Sequence, residues 1–240
     1  MLEVSTVLVT GANRGLGFEF VRQLASAEPR IDHIIAACRN PEEADNLKSL
    51  VEKNDNVHIL KLDVVDYDSH EAFVTEVDKI VGDKGLDILI NNAGIMIITD
   101  VDKVTPKEFM KNYEINAVGP YMLTRSLAPL IKKSQRKLIV AISSGAGSIT
   151  RTNARLGGFP AYKASKAAMN MLTRTYGDHL KADGVTSIIF CPGWCKTDLG
   201  GPNAMYEPDF SVSNMIKNIS TLTPESDGTF INFEGKPMPF

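Results

Sequence analysis

Short runs of apolar residues alternate with amphipathic segments along the whole chain. Each run has aliphatic residues at its centre, as in Val7-Leu8-Val9, and most end in polar or turn-forming residues. The runs predict strands at residues 4–10, 32–38, 57–62, 86–90, 137–142, 185–190 and 228–233. In the segments between them, apolar residues recur three and four positions apart, which is typical of one face of a helix. Strands that alternate with helices predict a parallel sheet covered on both faces.

The helical pattern is clearest after Ala161-Tyr162-Lys163-Ala164-Ser165-Lys166, in a helix that we expect to end at Asp183-Gly184. Further helices are predicted after Gly17 and at residues 42–54, 69–81, 106–132 and 211–219. The sequence contains no evident linker, internal repeat or low-complexity segment. Residues 1–240 are therefore predicted to form a single α/β domain, a doubly wound parallel sheet of about seven strands.

Composition narrows the possible partners. The chain is 43% hydrophobic and carries a formal net charge of −3 with scattered basic residues, which argues against nucleic-acid and membrane-surface partners. No apolar run approaches the roughly 20 residues of a membrane span, and the first strand begins too early for a signal peptide, so we expect a cytoplasmic protein. The three cysteines suit reduced thiols. Neither they nor the dispersed histidines have metal-ligand spacing, so no metal site is expected.

A glycine-rich turn joins the first strand to the first helix. It reads Gly11-Ala12-Asn13-Arg14-Gly15-Leu16-Gly17. Glycines let the backbone approach a pyrophosphate, and the N-terminus of the following helix faces its charge. The spacing Gly-x-x-x-Gly-x-Gly differs from the usual dinucleotide fingerprint, Gly-x-Gly-x-x-Gly. The turn predicts a dinucleotide site, and a flexible loop without a ligand is the alternative.

The end of the second strand indicates which dinucleotide binds. A carboxylate there accepts hydrogen bonds from the ribose of NAD, whereas an arginine pairs with the 2′-phosphate of NADP. This strand ends in Cys38-Arg39 without an acid, and Arg14 lies in the first turn. The pattern favours NADP(H). An ordinary surface arginine is the alternative for Arg39.

Polar and small residues also follow the other predicted strands. They are Asp63-Val64, Asn91-Asn92-Ala93-Gly94, Ser143-Ser144 and Pro192-Gly193. In an open parallel sheet these carboxyl ends share the edge at which ligands bind. Asp63 suits either an adenine amine or the N-terminus of the next helix. The segment Asn91-Asn92-Ala93-Gly94 is compatible with a surface against which a ligand lies and with a simple turn.

Two helices carry candidate catalytic groups. Tyr162 and Lys166 stand one turn apart, and an ammonium close to a phenol lowers the pKa of that phenol toward neutrality. Such a tyrosine serves as a general acid for carbonyl reduction or as a base for alcohol oxidation. In the helix at residues 106–132, the interior Pro120 predicts a kink that leaves the Asn116 carbonyl unpaired, where it would hold a water.

These motifs, taken in order, resemble the short-chain dehydrogenase/reductase family over essentially the full chain, which implies a Rossmann-type fold. Within the family, the chain is most similar to sniffer-type carbonyl reductases. The narrower resemblance rests on Ser143-Ser144, Gly147-Ser148-Ile149, the insertion before Tyr162 and the ending Asn232-Phe233-Glu234-Gly235-Lys236-Pro237. One departure is Cys195, where relatives commonly carry valine.

The resemblance implies roles for individual residues. The catalytic residues would be Asn116, Ser144, Tyr162 and Lys166, with Ser143 as the alternative serine. The cofactor site would comprise Gly11, Asn13, Arg14, Gly15, Leu16, Gly17, Arg39, Asp63, Val64, Asn91, Ala93, Gly94, Tyr162, Lys166, Pro192, Gly193, Trp194 and Thr197. In this scheme Tyr162 donates a proton, Ser144 holds the substrate carbonyl, and Lys166 lowers the pKa of Tyr162 and holds the nicotinamide ribose.

Substrate and assembly are left open at this point. The substrate pocket is expected between residues 149–159 and 199–210, where Arg151 and Arg155 suit either an acidic substrate or solvent. An aldehyde, ketone or quinone is expected to be reduced by NADPH. The alternatives are a pteridine or steroid reductase and a redox-sensing NADP(H)-binding protein with little turnover. Relatives pair into homodimers or homotetramers through the helices of Asn116 and Tyr162, and some remain monomeric.

Overall fold

A seven-stranded parallel sheet runs through the chain, in the strand order β3-β2-β1-β4-β5-β6-β7. The computed structural model describes residues 2–152 and 158–240. Its strands are β1 (Thr6–Thr10), β2 (His33–Cys38), β3 (Val57–Lys61), β4 (Ile88–Asn91), β5 (Leu138–Ile142), β6 (Thr186–Cys191) and β7 (Thr229–Asn232). The fold class predicted from the alternation of strands and helices is confirmed.

The helices of these described residues connect the strands by crossovers. They are α1 (Gly15–Ala25), α2 (Asp45–Val51), α3 (His70–Val81), α4 (Pro106–Tyr113), α5 (Gly119–Lys133), α6 (Pro160–Leu180) and α7 (Pro208–Thr221). A short 3₁₀ turn (Lys181–Asp183) follows α6 and ends at Gly184, whose φ of 78° is left-handed. Glycine adopts this conformation without steric cost, which explains the predicted helix end.

Alternate side chains of each strand enter cores on opposite faces of the sheet. Val7 and Val9 of β1 join one core with Phe20 of α1 and Met215 of α7. Leu8 joins the other core, to which α3, α5 and α6 contribute Phe73, Val77, Leu123, Leu127 and Leu180. A strand buried on both faces must be apolar at successive positions, and this is why the strands appear in the sequence as continuous apolar runs.

Two predicted helices differ from those observed. The helix predicted at residues 42–54 is a 3₁₀ turn (Pro41–Glu43) followed by α2, because Ala44 between them has a ψ of 59°, outside the helical range. The helix predicted at residues 106–132 is divided by a π turn (Glu114–Val118), in which the Gly119 N–H donates to Glu114 O. The irregularity therefore lies before Pro120, which stands in the first turn of α5. The water on the Asn116 carbonyl stays a prediction.

Strand order places a crevice between the ends of β1 and β4. The connections from β1 and β4 leave in opposite directions along the sheet, so the loops after these strands separate. Gly11 and Ala93 face each other there, because a Cβ added to Gly11 would lie 2.9 Å from the Cα of Ala93. The predicted glycine turn and the Asn91-Asn92-Ala93-Gly94 segment thus form one edge of the molecule.

Helix α6 packs closely on β6 because Gly177 lacks a side chain. We predict that Gly177→Ala destabilises the protein by about 1–2 kcal/mol, since the overpacking cost of about 1–3 kcal/mol exceeds the gain in helix propensity of about 1 kcal/mol. A Cβ at this position would lie 2.1 Å from Ser187 Oγ. That hydroxyl donates a hydrogen bond to Asp227 Oδ1. Urea unfolding measures the change. Thr175→Ala, on the exposed face of α6, is the control, and equal stabilities of the two variants would contradict the prediction.

Candidate active site

Tyr162 and Lys166 lie together in the first turns of α6, almost entirely shielded from solvent. Tyr162 is 7% exposed and Lys166 is 4% exposed. The Lys166 Nζ lies 5.9 Å from the centroid of the Tyr162 ring and donates to Ile142 O at 2.8 Å, at the end of β5. The two side chains therefore share one buried pocket between α6 and the carboxyl end of β5, as their spacing predicts.

Burial shifts the pKa values of these two side chains in opposite directions. It raises the pKa of Tyr162 to about 12, against a smaller lowering by the hydrogen bond with Ser144. It lowers the pKa of Lys166 to about 8. The expectation that Lys166 lowers the pKa of Tyr162 is therefore wrong for this structure. Removal from water penalises the charged form of each group, and this penalty is the largest cause of both pKa shifts.

The structure distinguishes the two adjacent serines. Ser143 is 3% exposed and donates to Asn170 Oδ1 at 2.5 Å, so its hydroxyl is engaged inside the protein. Ser144 is partly exposed and hydrogen-bonds Tyr162. Its oxygen also accepts the Ala146 N–H at 3.1 Å, in the turn that follows β5. Ser144 is thus the serine placed to meet a ligand beside Tyr162.

The carboxamide of Asn116 connects three segments behind this pair. Its Oδ1 accepts the Ile95 N–H at 2.8 Å, and its Nδ2 donates to Ile95 O at 2.9 Å and to Ser165 Oγ at 2.9 Å. Ser165 in turn donates to Tyr162 O at 2.7 Å. The side chain, which is 0% exposed, therefore holds the loop after β4 against the turn of α6 that carries Tyr162.

Gly94 shows how closely the predicted residues converge. A Cβ on Gly94 would lie 3.1 Å from Asn116 Oδ1 and 3.5 Å from Lys166 Nζ. Three segments that are far apart in the sequence meet at this point: the loop after β4, the π turn and α6. A side chain larger than hydrogen at Gly94 would crowd both polar groups.

The glycine turn has the properties of an anion site. A Cβ on Gly17 would lie 2.2 Å from Gly11 O, so the turn can close only with glycine there. Gly11 and Gly15 have left-handed φ values of 64° and 55°. Helix α1 has no side-chain cap and no acidic residue in its first turn. Its first N–H groups therefore point to a place where a phosphate would be stabilised.

The two predicted phosphate-binding arginines differ in their surroundings. Arg39 is exposed at the end of β2, beside the exposed Asn40. Arg14 is also exposed, but its Nη1 lies 2.9 Å from Asp198 Oδ2, in the loop after β6. Across the same gap, a Cβ on Gly15 would lie 3.3 Å from Thr197 Cγ2. The glycine turn and the loop after β6 thus close on each other from opposite sides of the crevice.

Three of the predicted cofactor residues make contacts within the protein. Asp63 Oδ1 accepts the Val65 N–H at 3.2 Å, and its alternative role as a helix cap is wrong because α3 begins only at His70. Val64 is buried, and its carbonyl lies 2.9 Å from a Cβ added to Gly119. The side chain of Asn91 faces α5, where Nδ2 donates to Thr124 Oγ1 at 2.9 Å.

The loop after β6 is braced by its own hydrogen bonds. Trp194 Nε1 donates to Gly200 O at 2.7 Å, and Trp194 O accepts the N–H groups of Met205 and Tyr206. Gly193, with a φ of 80°, lies against the rings of Tyr206 and Phe233. Pro192 O accepts the Ser211 hydroxyl at 2.7 Å. The predicted residues Pro192, Gly193, Trp194 and Thr197 thus belong to one preformed loop.

Two residues that were not assigned to the site also shape it. Thr10 Oγ1 accepts the N–H groups of Asn92 and Ala93, each at 3.0 Å, which joins the ends of β1 and β4. Cys191 Sγ accepts the Gly145 N–H at 3.1 Å, beside Ser144. Thr10 is the first residue of the motif that continues through the glycine turn, but the motif does not show which N–H groups its hydroxyl binds. Cys191 belongs to no motif, and the strand register brings both side chains to these positions.

The sequence also predicts that there is no metal site and no membrane span. Within residues 2–152 and 158–240, no group of three or more His, Cys, Asp or Glu could hold a metal ion. No helix in this part of the chain is long and apolar enough to cross a membrane.

Of the two arginines expected near a substrate, Arg151 has its Nη1 at 3.3 Å from Met238 Sδ. Arg155, the other arginine expected near a substrate, lies outside the described residues.

Comparisons with known proteins identify the family of this chain. A family model described as short chain dehydrogenase matches residues 5–206. An uncharacterized oxidoreductase of Schizosaccharomyces pombe is 32% identical over a match that covers 97% of this chain and 96% of the relative. The carbonyl reductase Sniffer of D. melanogaster superposes with a TM-score of 0.95 at 33% identity over 99% of this chain and 100% of that chain. An NADPH-bound carbonyl reductase from chicken fatty liver gives 0.96 at 36% identity over 100% of both. With its parallel sheet, glycine turn and Tyr162–Lys166 helix, the chain belongs to the short-chain dehydrogenase family of oxidoreductases.

Proposed function

We propose that residues 1–240 form a single-domain NADPH-dependent carbonyl reductase, in which a hydride passes to an aldehyde, ketone or quinone and Tyr162 supplies the proton. The observation that carries this proposal is the buried Tyr162, which hydrogen-bonds Ser144 and has a pKa raised to about 12. A phenol with that pKa keeps its proton at neutral pH. It is therefore loaded as an acid, which suits carbonyl reduction rather than alcohol oxidation.

NADP(H) is the cofactor that suits this crevice. The uncapped N-terminus of α1 offers N–H groups to a pyrophosphate, and the exposed guanidinium groups of Arg14 and Arg39 offer charge to a 2′-phosphate. No acid stands at the end of β2 to favour NAD. The chicken relative, which binds NADPH, supports the same choice. Bound NADPH supplies the hydride.

The chain's own groups supply everything else in this scheme. The Ser144 hydroxyl donates to the substrate oxygen and orients it beside Tyr162. Tyr162 transfers its proton to that oxygen as negative charge develops. Lys166, at 5.9 Å from the Tyr162 ring, and the Asn116 carboxamide hold the first turns of α6 in place.

The rim of the crevice favours an apolar substrate. Ile98, Ile149 and Met205 are 73%, 77% and 69% exposed, in the loops after β4, β5 and β6. Exposed aliphatic side chains that surround a polar centre are typical of sites for small apolar ligands. We propose aromatic or aliphatic carbonyl compounds and quinones as the substrate class.

Assembly through the helices of Asn116 and Tyr162 is also proposed. Met110 and Tyr113 of α4 and Met171 of α6 are 64%, 41% and 67% exposed. Apolar side chains on two neighbouring helices would be covered if a second copy packed there. A homodimer through this face is the simplest form of the proposal, and a homotetramer would need a second interface.

Loss of the Tyr162 hydroxyl tests the proposed acid. We expect Tyr162→Phe to lower kcat for the reduction of an ortho-quinone, a reactive aldehyde and a steroid ketone at least about 100-fold, with NADPH affinity retained. NADPH oxidation and fluorescence titration measure the two quantities. Tyr176→Phe, farther along α6, is the matched control and should keep wild-type activity. If the wild type binds NADPH tightly without turnover, the redox-sensing alternative replaces the proposal.

Reversal of charge at Arg39 tests the 2′-phosphate site. Arg39→Asp should raise the KM for NADPH at least about tenfold and shift preference toward NADH, since a carboxylate repels the phosphate and accepts ribose hydroxyls. Arg30→Asp, which changes the net charge equally at the opposite edge of the sheet, should leave the preference unchanged. An unchanged ratio of NADPH to NADH efficiency in Arg39→Asp would refute the role of Arg39.

The lowered pKa of Lys166 predicts a pH dependence of stability. Between the folded pKa of about 8 and the unfolded value near 10.4, the unfolded chain binds more protons, so stability rises with pH. We expect a Lys166 contribution of about 2–3 kcal/mol between pH 8 and pH 10. Urea unfolding at each pH should show that wild type and Lys181→Met gain this much stability relative to Lys166→Met, since burial of Cys38 and Cys195 raises their thiol pKa values and lowers the stability of all three proteins over the same range. A rise of the same size in Lys166→Met would contradict the assignment.

A further inference from the structure

The last residues of the chain return along the outer edge of the sheet. We call residues 236–240 the closing segment. Asn232 N–H donates to Lys236 O at 2.9 Å, and Met238 N–H donates to Phe230 O at 2.8 Å. Pro237 forms an antiparallel bridge with Ile231 of β7. The closing segment therefore covers the exposed backbone of β7 and runs antiparallel to it, from the carboxyl end of the strand back toward its amino end.

The end of the closing segment is attached to the loop that follows β5. Thr150 donates to Phe240 O twice, from its N–H at 3.1 Å and from its hydroxyl at 2.6 Å. The Phe240 ring packs against Phe230 at 5.7 Å between centroids and under the Arg174 guanidinium at 5.5 Å. Three elements thus hold the last residue of the closing segment: the loop after β5, β7 and α6.

Met238 brings the closing segment against the serine turn, by which we mean the 3₁₀ turn Gly145–Gly147 directly after Ser144. The Met238 Cε lies 3.5 Å from the position of a Cβ on Gly145. Its thioether lies against Arg151, and its side chain packs on the buried cluster that contains Cys191. The Met238 methyl group therefore lies beside the serine turn, at a distance that would be van der Waals contact for a side chain at Gly145.

Helix α6 supports the opposite side of the serine turn. A Cβ on Gly147 would lie 2.8 Å from the backbone carbon of Lys166. Inside the turn, the Ala146 N–H donates to Ser144 Oγ, and the Gly145 N–H donates to Cys191 Sγ. The serine hydroxyl is thus fixed by a turn that lies between α6 and the closing segment.

We propose that the closing segment positions Ser144 for carbonyl reduction, with Met238 and Phe240 as positioning residues that act through the serine turn. This inference rests on the proposed function. Without the contacts of Met238 and Phe240, the turn keeps only its support from α6 and Cys191, and the serine hydroxyl loses its alignment with the substrate oxygen. Misplacement of a positioning group by about 1 Å costs up to about 100-fold in rate.

Kinetics on the full chain test the proposal. Met238→Ala and Phe240→Ala should each lower kcat for an ortho-quinone at least about tenfold and change NADPH affinity less than about twofold. With NADPH deuterated at the transferred hydrogen, the isotope effect on kcat should increase, because chemistry becomes slower than product release. Thr150→Val removes only one of the two hydrogen bonds to Phe240 O. It should therefore change kcat and the isotope effect less than Met238→Ala and Phe240→Ala do.

Lys236→Ala is the matched control in the closing segment. Its exposed side chain pairs with Glu234, away from the serine turn, so it should keep wild-type kcat and isotope effect. Equal losses in Lys236→Ala and Phe240→Ala would overturn the positioning role. Folded Met238→Ala and Phe240→Ala proteins with wild-type kcat would overturn it as well.

Hydrogen exchange separates this proposal from the proposed function. The amides of residues 145–147 should exchange at least about tenfold faster in Phe240→Ala than in wild type or Lys236→Ala, whether or not the protein reduces a carbonyl. Faster exchange in Phe240→Ala, together with a wild type that shows no turnover, would support the contact and sink the reductase assignment. Unchanged exchange at these amides would sink the positioning proposal even in an active enzyme.

Discussion

The buried carboxamide of Asn116 is the contact on which the geometry of the candidate site depends. It bonds Ile95 through both its oxygen and its nitrogen and reaches Ser165 with its remaining N–H. A carboxamide that is 0% exposed must find partners inside the protein, because an unsatisfied buried amide costs about 1–3 kcal/mol. The π turn around Asn116 accommodates this requirement. One extra residue in a helical turn changes the direction of the side chain, which explains why such turns occur at functional sites.

Much of this architecture could be predicted because it depends on local periodicity. Apolar runs, glycine turns and helix patterns define the order of the elements, and right-handed crossovers then bring the carboxyl ends of parallel strands to one edge. The convergence of Gly94, Asn116 and Lys166 follows from that order. Ala44 and the π turn were missed because each departs from regular helix for reasons of tertiary packing. No local pattern reports such departures.

The roles of single residues were harder to predict, because many of their interaction partners lie far away in the sequence. Arg14 pairs with Asp198, which lies 184 positions away in the sequence. The Asn91 side chain donates a hydrogen bond to Thr124 of α5, and the turn motif around Asn91 does not indicate that helix as its partner. Asp63 forms a turn within its own loop rather than a cap. A motif identifies the residue types at a strand end. It does not identify which side chains face the crevice and which face a neighbouring helix, and the cofactor contacts of Asp63 and Asn91 therefore stay predictions.

The same limit explains the pKa of Tyr162, and the error has a chemical consequence. Spacing alone predicts an ammonium that acidifies a phenol, whereas depth of burial, a tertiary property, reverses the sign. In the folded chain, Lys166 with a pKa of about 8 is the stronger acid of the pair, and Tyr162 with a pKa of about 12 is the weaker. Under the proposed mechanism, Tyr162 therefore holds its proton until a more basic alkoxide develops on the substrate. The phenolate that remains is then more basic than Lys166, so the return of a proton from the Lys166 side is energetically downhill. This order of the two pKa values favours repeated proton donation by Tyr162, because the phenolate exists only between the two proton transfers.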